Sequence, residues 1–195
     1  PTFRYAITAQ KAPAPLIFVI AGTGSSHRGA KMRMLEAAFY GAGFHVVSLS
    51  SPTYANFIIT ASSTRIPGRT SDDAGDLYRV MEMIWAEHKG RLEVTGFHVT
   101  GYSLGGANAA FVARLDEQRQ VFNFKKVLMI NPSVNLFNSV SIIDQMLANT
   151  IGDEPGAFNS YLGRVVRAFV NAYDPREPLN FNEDFLYEIY KKKIP

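Results

Sequence analysis

Gly101-Tyr102-Ser103-Leu104-Gly105-Gly106 combines residue types and spacing that could do chemistry. A serine with glycines two residues before and after it can sit on a sharp strand-to-helix turn, where a strained backbone pushes the hydroxyl out past the sheet edge. The outer glycines let strand and helix approach closely. The flanks suit that turn: Phe97-His98-Val99-Thr100 reads as a short apolar strand, and Ala107 to Ala113 reads as a helix of small residues. The spacing therefore predicts a nucleophile. The competing reading is a glycine-rich helix start that packs tightly on a strand and performs no reaction.

A second stretch bears on the same chemistry. Leu16-Ile17-Phe18-Val19-Ile20-Ala21 is a continuous apolar run, as expected of a parallel strand buried on both faces, and it ends in Gly22-Thr23-Gly24-Ser25-Ser26-His27. Backbone N–H groups at such a strand end can point into the crevice that receives the serine hydroxyl, where they would stabilise the oxyanion of a tetrahedral intermediate. A phosphate-binding turn is the alternative, but the loop lacks both the full dinucleotide glycine spacing and a Gly-Lys-Ser/Thr ending.

Together the serine turn and this loop resemble the α/β-hydrolase superfamily, in its lipase and esterase group, and the resemblance spans most of the chain. It implies an acyl-enzyme on Ser103, which in the family follows the fifth strand. It also implies oxyanion donors at the backbone N–H groups of Leu104 and Thr23. Ala21-Gly22-Thr23 stands where the family usually has His-Gly-x, a change that a backbone donor tolerates. Gly22 and Gly24 would permit close approach, Tyr102 and Leu104 would line the acyl pocket, and His27 would contact substrate. The implied substrate is a small molecule with an apolar acyl group, and no cofactor or metal is required.

The resemblance also exposes a gap. A serine hydroxyl needs a base, and the family supplies a histidine late in the chain, oriented by an earlier acid. Here His27, His45, His88 and His98 all precede Ser103. One reading is an incomplete hydrolase domain whose acid and histidine lie in sequence outside this chain, with a second polypeptide as one way of completing the sheet. Another is a rearranged site using His27. A third is a hydrolase scaffold kept as a binding or assembly module for an apolar ligand or partner chain. Asp174 would become a candidate acid only if residues 164–170 formed a strand, and their helical periodicity argues against that.

The elements that must position these residues alternate. An edge strand is expected at Phe3 to Ile7, a buried strand at Leu16 to Ala21, and a helix from about Gly29 to Tyr40 with Met34, Leu35, Ala38 and Phe39 on one face. A strand at Phe44 to Leu49 is followed by a polar loop and a helix begun by Ser71-Asp72-Asp73, with Leu77, Val80, Met81, Ile84 and Trp85 at helical spacing. Lys126 to Ile130 is the strand after the nucleophile helix. The fold class is α/β, a mostly parallel sheet flanked by helices. Residues 1–135 form the core, and residues 136–195 read as a helical, lid-like segment of the same domain, ending in a helix over Asn182 to Lys192.

Composition bounds the rest. The chain has 195 residues, 47% hydrophobic and 19% charged, enough for one well-buried domain and too apolar for disorder. Cysteine is absent, which excludes disulfides and a thiol nucleophile without fixing the compartment. No apolar run approaches the roughly 18 to 20 residues needed to span a bilayer, so a soluble chain is expected. The net charge of +3 is scattered apart from Lys191-Lys192-Lys193, read as a solvated tail, and nucleic-acid binding has little support. No histidine or carboxylate spacing suggests a metal. The sequence opens on Pro1 without an initiator Met, so removal of an upstream segment is expected.

Overall fold

A computed structural model of the chain describes residues 2–172. Among them, β1 (Tyr5–Thr8), β2 (Ala14–Ile20), β3 (His45–Leu49), β4 (Val94–Tyr102) and β5 (Lys126–Ile130) form one sheet in the order β1-β3-β2-β4-β5. β1 is antiparallel to β3, and the other pairs are parallel. The helices α1 (Ala30–Gly41), α2 (Ala55–Thr60), α3 (Thr70–His88) and α4 (Leu104–Arg119) connect the strands. From the adjacent pair β2 and β4, the chain passes through α1 to β3 on one side and through α4 to β5 on the other. Such a switch point leaves a crevice beyond the carboxyl ends of the two strands. The loop after β2 and the Ser103 turn both open there.

Two apolar layers hold the sheet. On one face Leu16, Phe18, Ile20, Val47, Leu49 and Val99 pack with Leu77, Tyr78, Met81 and Ile84 of α3 and with Ala109 and Val112 of α4. On the other face Ile17, Val19, Val46 and Tyr102 pack with Met32 of α1, joined by Leu35 and Phe39. Alternate residues of β2 thus serve opposite layers, which is why its sequence is apolar throughout. Burying side chains such as Phe18 and Ile20 contributes about 1.5–3 kcal/mol each.

Three local expectations are corrected. On α1 the sheet-facing methionine is Met32, while Met34 is 64% exposed and Ala38 faces solvent, because the helix is rotated so that Met32, Leu35 and Phe39 meet the sheet. α3 begins at Thr70, and Asp72 and Asp73 lie inside its first turn rather than before it; the Asp73 carboxylate accepts a hydrogen bond from Gly68 N at 2.9 Å. Within the stretch read as a polar loop, α2 forms because Phe57 is fully buried and anchors it.

The chain divides after Ser133 into two compact units. The second contains α5 (Leu136–Ile151) and α6 (Ala157–Ala172). Asn135 begins α5 by accepting a hydrogen bond from Asn138 N at 3.0 Å, and Gly152 and Gly156, at φ 79° and 83°, break the two helices apart. Residues 164–170 are helical. Asp174, the helix expected over Asn182 to Lys192 and the lysine tail lie outside the described residues. No helix among the described residues is long and apolar enough to cross a membrane.

Candidate active site

β4 ends at Tyr102 and α4 begins at Leu104, so Ser103 alone makes the turn, at φ 54° and ψ −127°. A non-glycine residue held in such a conformation costs roughly 1–3 kcal/mol. The surrounding backbone holds it there. Ser103 N donates to Ile130 O at 3.0 Å, and Ser103 O accepts from Gly106 N at 3.0 Å and Ala107 N at 3.2 Å. The glycines have steric reasons to be glycines: a Cβ on Gly105 would lie 2.2 Å from Ile20 O, and one on Gly101 would lie 2.3 Å from Gly105 O. The first turn of α4 therefore rests directly on the end of β2.

That contact brings the loop after β2 against the serine turn. A Cβ on Gly22 would lie 2.6 Å from Cε2 of Tyr102, so the absent side chain is what lets the tyrosine ring cover the loop. Tyr102 is buried, and Lys31 Nζ sits 5.5 Å from its ring centroid. Gly24, at φ 68°, donates its N–H to Thr53 Oγ1 at 2.7 Å. Ser51 N donates to Ser25 O at 3.0 Å, so residues after β3 stitch the loop down. The exposed Thr23 has no acceptor for its N–H among the described residues. Leu104 opens α4, so its N–H also lacks an intrahelical partner. Lys31, Ser50 and Thr53 were not singled out by sequence reasoning; the run Ser48-Leu49-Ser50-Ser51-Pro52-Thr53 closing a buried strand was the available signal.

His27 lies at the far end of this loop. It is 8% exposed, its backbone N donates to Ser50 Oγ at 2.9 Å, and its Nδ1 lies 3.1 Å from the same oxygen. Burial lowers its pKa below the usual histidine range, the Arg28 and Arg4 charges lower it further, and Glu36 opposes them. His45 is fastened at both nitrogens, accepting from Gln10 N at 3.0 Å and meeting Glu93 O at 3.2 Å. His88 Nε2 lies 2.8 Å from Tyr5 Oη. His98 meets the ring of Phe44 edge-on, and burial, then Lys126, lowers its pKa. No hydrogen bond links any of the four to Ser103 among the described residues.

No protein-family model matches the chain, and no curated protein matches it. Solved structures do. A probable hydrolytic enzyme from Pseudomonas aeruginosa PAO1 superposes with a TM-score of 0.54 at 13% identity, over 95% of this chain and 53% of that one. Est1E from Butyrivibrio proteoclasticus superposes with a TM-score of 0.50 at 13% identity, over 77% of this chain and 51% of that one. The chain thus spans about half the length of the structures it matches. At these identities the likeness is one of architecture, and with the five-stranded sheet and its flanking helices it leads to a single statement: this chain has the α/β-hydrolase fold.

Proposed function

We propose that the protein is a serine hydrolase that cleaves a carboxylic ester or related acyl bond through an acyl-enzyme on Ser103, with base and acid supplied by sequence outside residues 1–195. The observation that carries this reading is a serine held at φ 54° on the crevice between the carboxyl ends of β2 and β4. In this mechanism Ser103 Oγ loses its proton to the base and attacks the acyl carbon. The oxyanion accepts hydrogen bonds from the N–H groups of Thr23 and Leu104, and Gly22 and Gly24 keep side chains out of its way. The base returns the proton to the departing alcohol, and water then releases the acid from Ser103. Tyr102 and Leu104 wall the acyl group, and an apolar acyl group is the one this reading favours.

The absence of a histidine hydrogen bond to Ser103 favours one other reading, a binding module that keeps the scaffold without turnover. A fluorophosphonate probe separates the two, because it is captured only by an activated serine. On the full-length polypeptide, mass spectrometry should find the adduct on Ser103 and none in Ser103→Ala. A folded full-length protein that stays unlabelled and cleaves no ester would leave the binding module.

A further inference from the structure

Two tight turns meet at the carboxyl edge of the sheet. After β2, Ser25 N donates to Gly22 O at 3.1 Å, closing a four-residue turn over Thr23 and Gly24. After β3, Tyr54 N donates to Ser51 O at 2.9 Å, closing a second turn over Pro52 and Thr53. Pro52, second in its turn, presets the φ that the turn needs. β2 and β3 are parallel neighbours, so the two turns emerge at the same edge. Two bonds join them: Ser51 N donates to Ser25 O at 3.0 Å, and Gly24 N donates to Thr53 Oγ1 at 2.7 Å. The Thr53 hydroxyl is backed by that of the fully buried Ser51, 2.9 Å away.

The bond to Thr53 acts on the conformation of the first turn. Of its two central residues only the second, Gly24 at φ 68°, lies at positive φ, as a type II turn requires. Type I and type II turns differ chiefly in the peptide between the central residues, which rotates by about 150–170° from one to the other. Gly24 N–H belongs to that peptide, and glycine itself tolerates both orientations. Thr53 Oγ1 accepts the N–H in the type II orientation and so selects it. Thr23 N–H belongs to the peptide before, which it shares with Gly22 O. In a trans peptide the two point opposite ways, so while Gly22 O faces Ser25 N, the Thr23 N–H faces out of the turn. A central peptide free to rotate would let that outer peptide rock. We propose that Thr53 is a positioning residue for the reaction, holding the turn in the form that keeps the Thr23 N–H open to the oxyanion. The proposal rests on the hydrolase reading. An oxyanion donor is effective when its direction is set before charge develops, and Thr53 sets it through the Gly24 peptide rather than by touching substrate.

Thr53→Val removes the acceptor at nearly constant shape, and Thr53→Ser keeps it. In the full-length polypeptide, hydrolysis of p-nitrophenyl butyrate by Thr53→Val should show kcat lowered about tenfold or more with KM within about twofold of the parent, because oxyanion bonds strengthen in the transition state. Thr53→Ser should recover most of the rate, and the melting temperature of either variant should shift by about 4 °C or less. NMR should find the Gly24 amide proton protected from exchange in the parent and in Thr53→Ser, and exchanging about fivefold or more faster in Thr53→Val. Parental kcat in Thr53→Val, an equal fall in Thr53→Ser, or Gly24 exchange indifferent to the valine overturns the proposal. A folded parent that cleaves no ester and takes no fluorophosphonate removes the hydrolase reading and the catalytic role of Thr53 with it. Faster Gly24 exchange in Thr53→Val would then still uphold its hold on the turn.

Discussion

Ser103 illustrates how a single residue can be costly for the fold and, in the proposed hydrolase, necessary for the reaction. Its φ of 54° is poorly suited to any side chain, whereas glycine adopts it without steric penalty. Ser103→Ala and Ser103→Gly both remove the hydroxyl, but only the second relieves the backbone. Urea denaturation should therefore find Ser103→Gly more stable than Ser103→Ala by about 1 kcal/mol, part of the relief being offset by the freer unfolded chain. Equal stabilities would mean that the turn is unstrained. Gly105→Ala should act in the opposite direction: its Cβ would meet two backbone oxygens, Ile20 O at 2.2 Å and Ala21 O at 2.5 Å, and neither can move without shifting β2. A loss of about 3 kcal/mol or more is expected, together with loss of phosphonate labelling. At this scale the sequence was most legible where steric need dictates residue type, as at Gly101 and Gly105. It was least legible where partners meet only through sheet order, as Thr53 does with Gly24.

At the scale of elements, period and length decided what could be read. β5 occupies the five residues expected, because a short apolar run between polar flanks admits few alternatives. α2 escaped notice because a six-residue helix held by one buried phenylalanine has no period to recognise. The face of α1 was misjudged because Met32 and Met34 are equally apolar, and only the docked helix selects between them. The link from α4 to β5 was also hidden, since it runs through a polar residue. The buried carboxylate of Asp116 accepts hydrogen bonds from Tyr78 Oη at 2.6 Å, Phe122 N at 3.0 Å and Phe124 N at 3.0 Å, joining α3, α4 and the segment leading into β5. Asp116→Ala would strand three donors, two of them buried, and should cost about 3–5 kcal/mol in chemical denaturation. Asp116→Asn keeps an acceptor and should cost less. A loss under about 1 kcal/mol for the alanine variant would show that solvent replaces these bonds readily.

For the whole molecule, two global properties follow from burial. The first is a dependence on pH. His27 and His98 are both pushed below the ordinary histidine value of 6.5, chiefly by burial, so the folded state resists protons that the unfolded chain accepts. Below that value the unfolded state binds more protons, and stability present at neutral pH is lost as the pH falls. Melting temperatures should therefore drop between pH 7 and pH 5, and His27→Gln combined with His98→Gln should flatten that decline. An unchanged slope in the double variant would assign the effect to other groups.

The second property concerns the open side of the sheet. In Lys126-Val127-Leu128-Met129-Ile130, consecutive apolar residues point to opposite faces, the pattern of a strand covered on both sides. Yet Val127, Leu128 and Met129 are 39%, 50% and 48% exposed, whereas Phe18, Val19 and Ile20 of β2 are fully buried. β5 thus has a composition suited to cover that the described residues do not supply, in keeping with matched structures about twice as long. An apolar edge strand with free backbone groups is a template for pairing with other chains. Residues 1–195 alone should therefore associate at micromolar concentrations, and Leu128→Lys should shift them toward monomer by placing a charge on the exposed face. In a polypeptide extended by the sequence that the proposed hydrolase calls for, the same lysine should instead lower stability, by about 2 kcal/mol or more, because it would be forced into a covered position. Light scattering on the short chain and denaturation of the long one measure the two effects. Opposite signs locate the missing cover on β5, whereas a harmless lysine in the long polypeptide would show that its sheet ends where this one does.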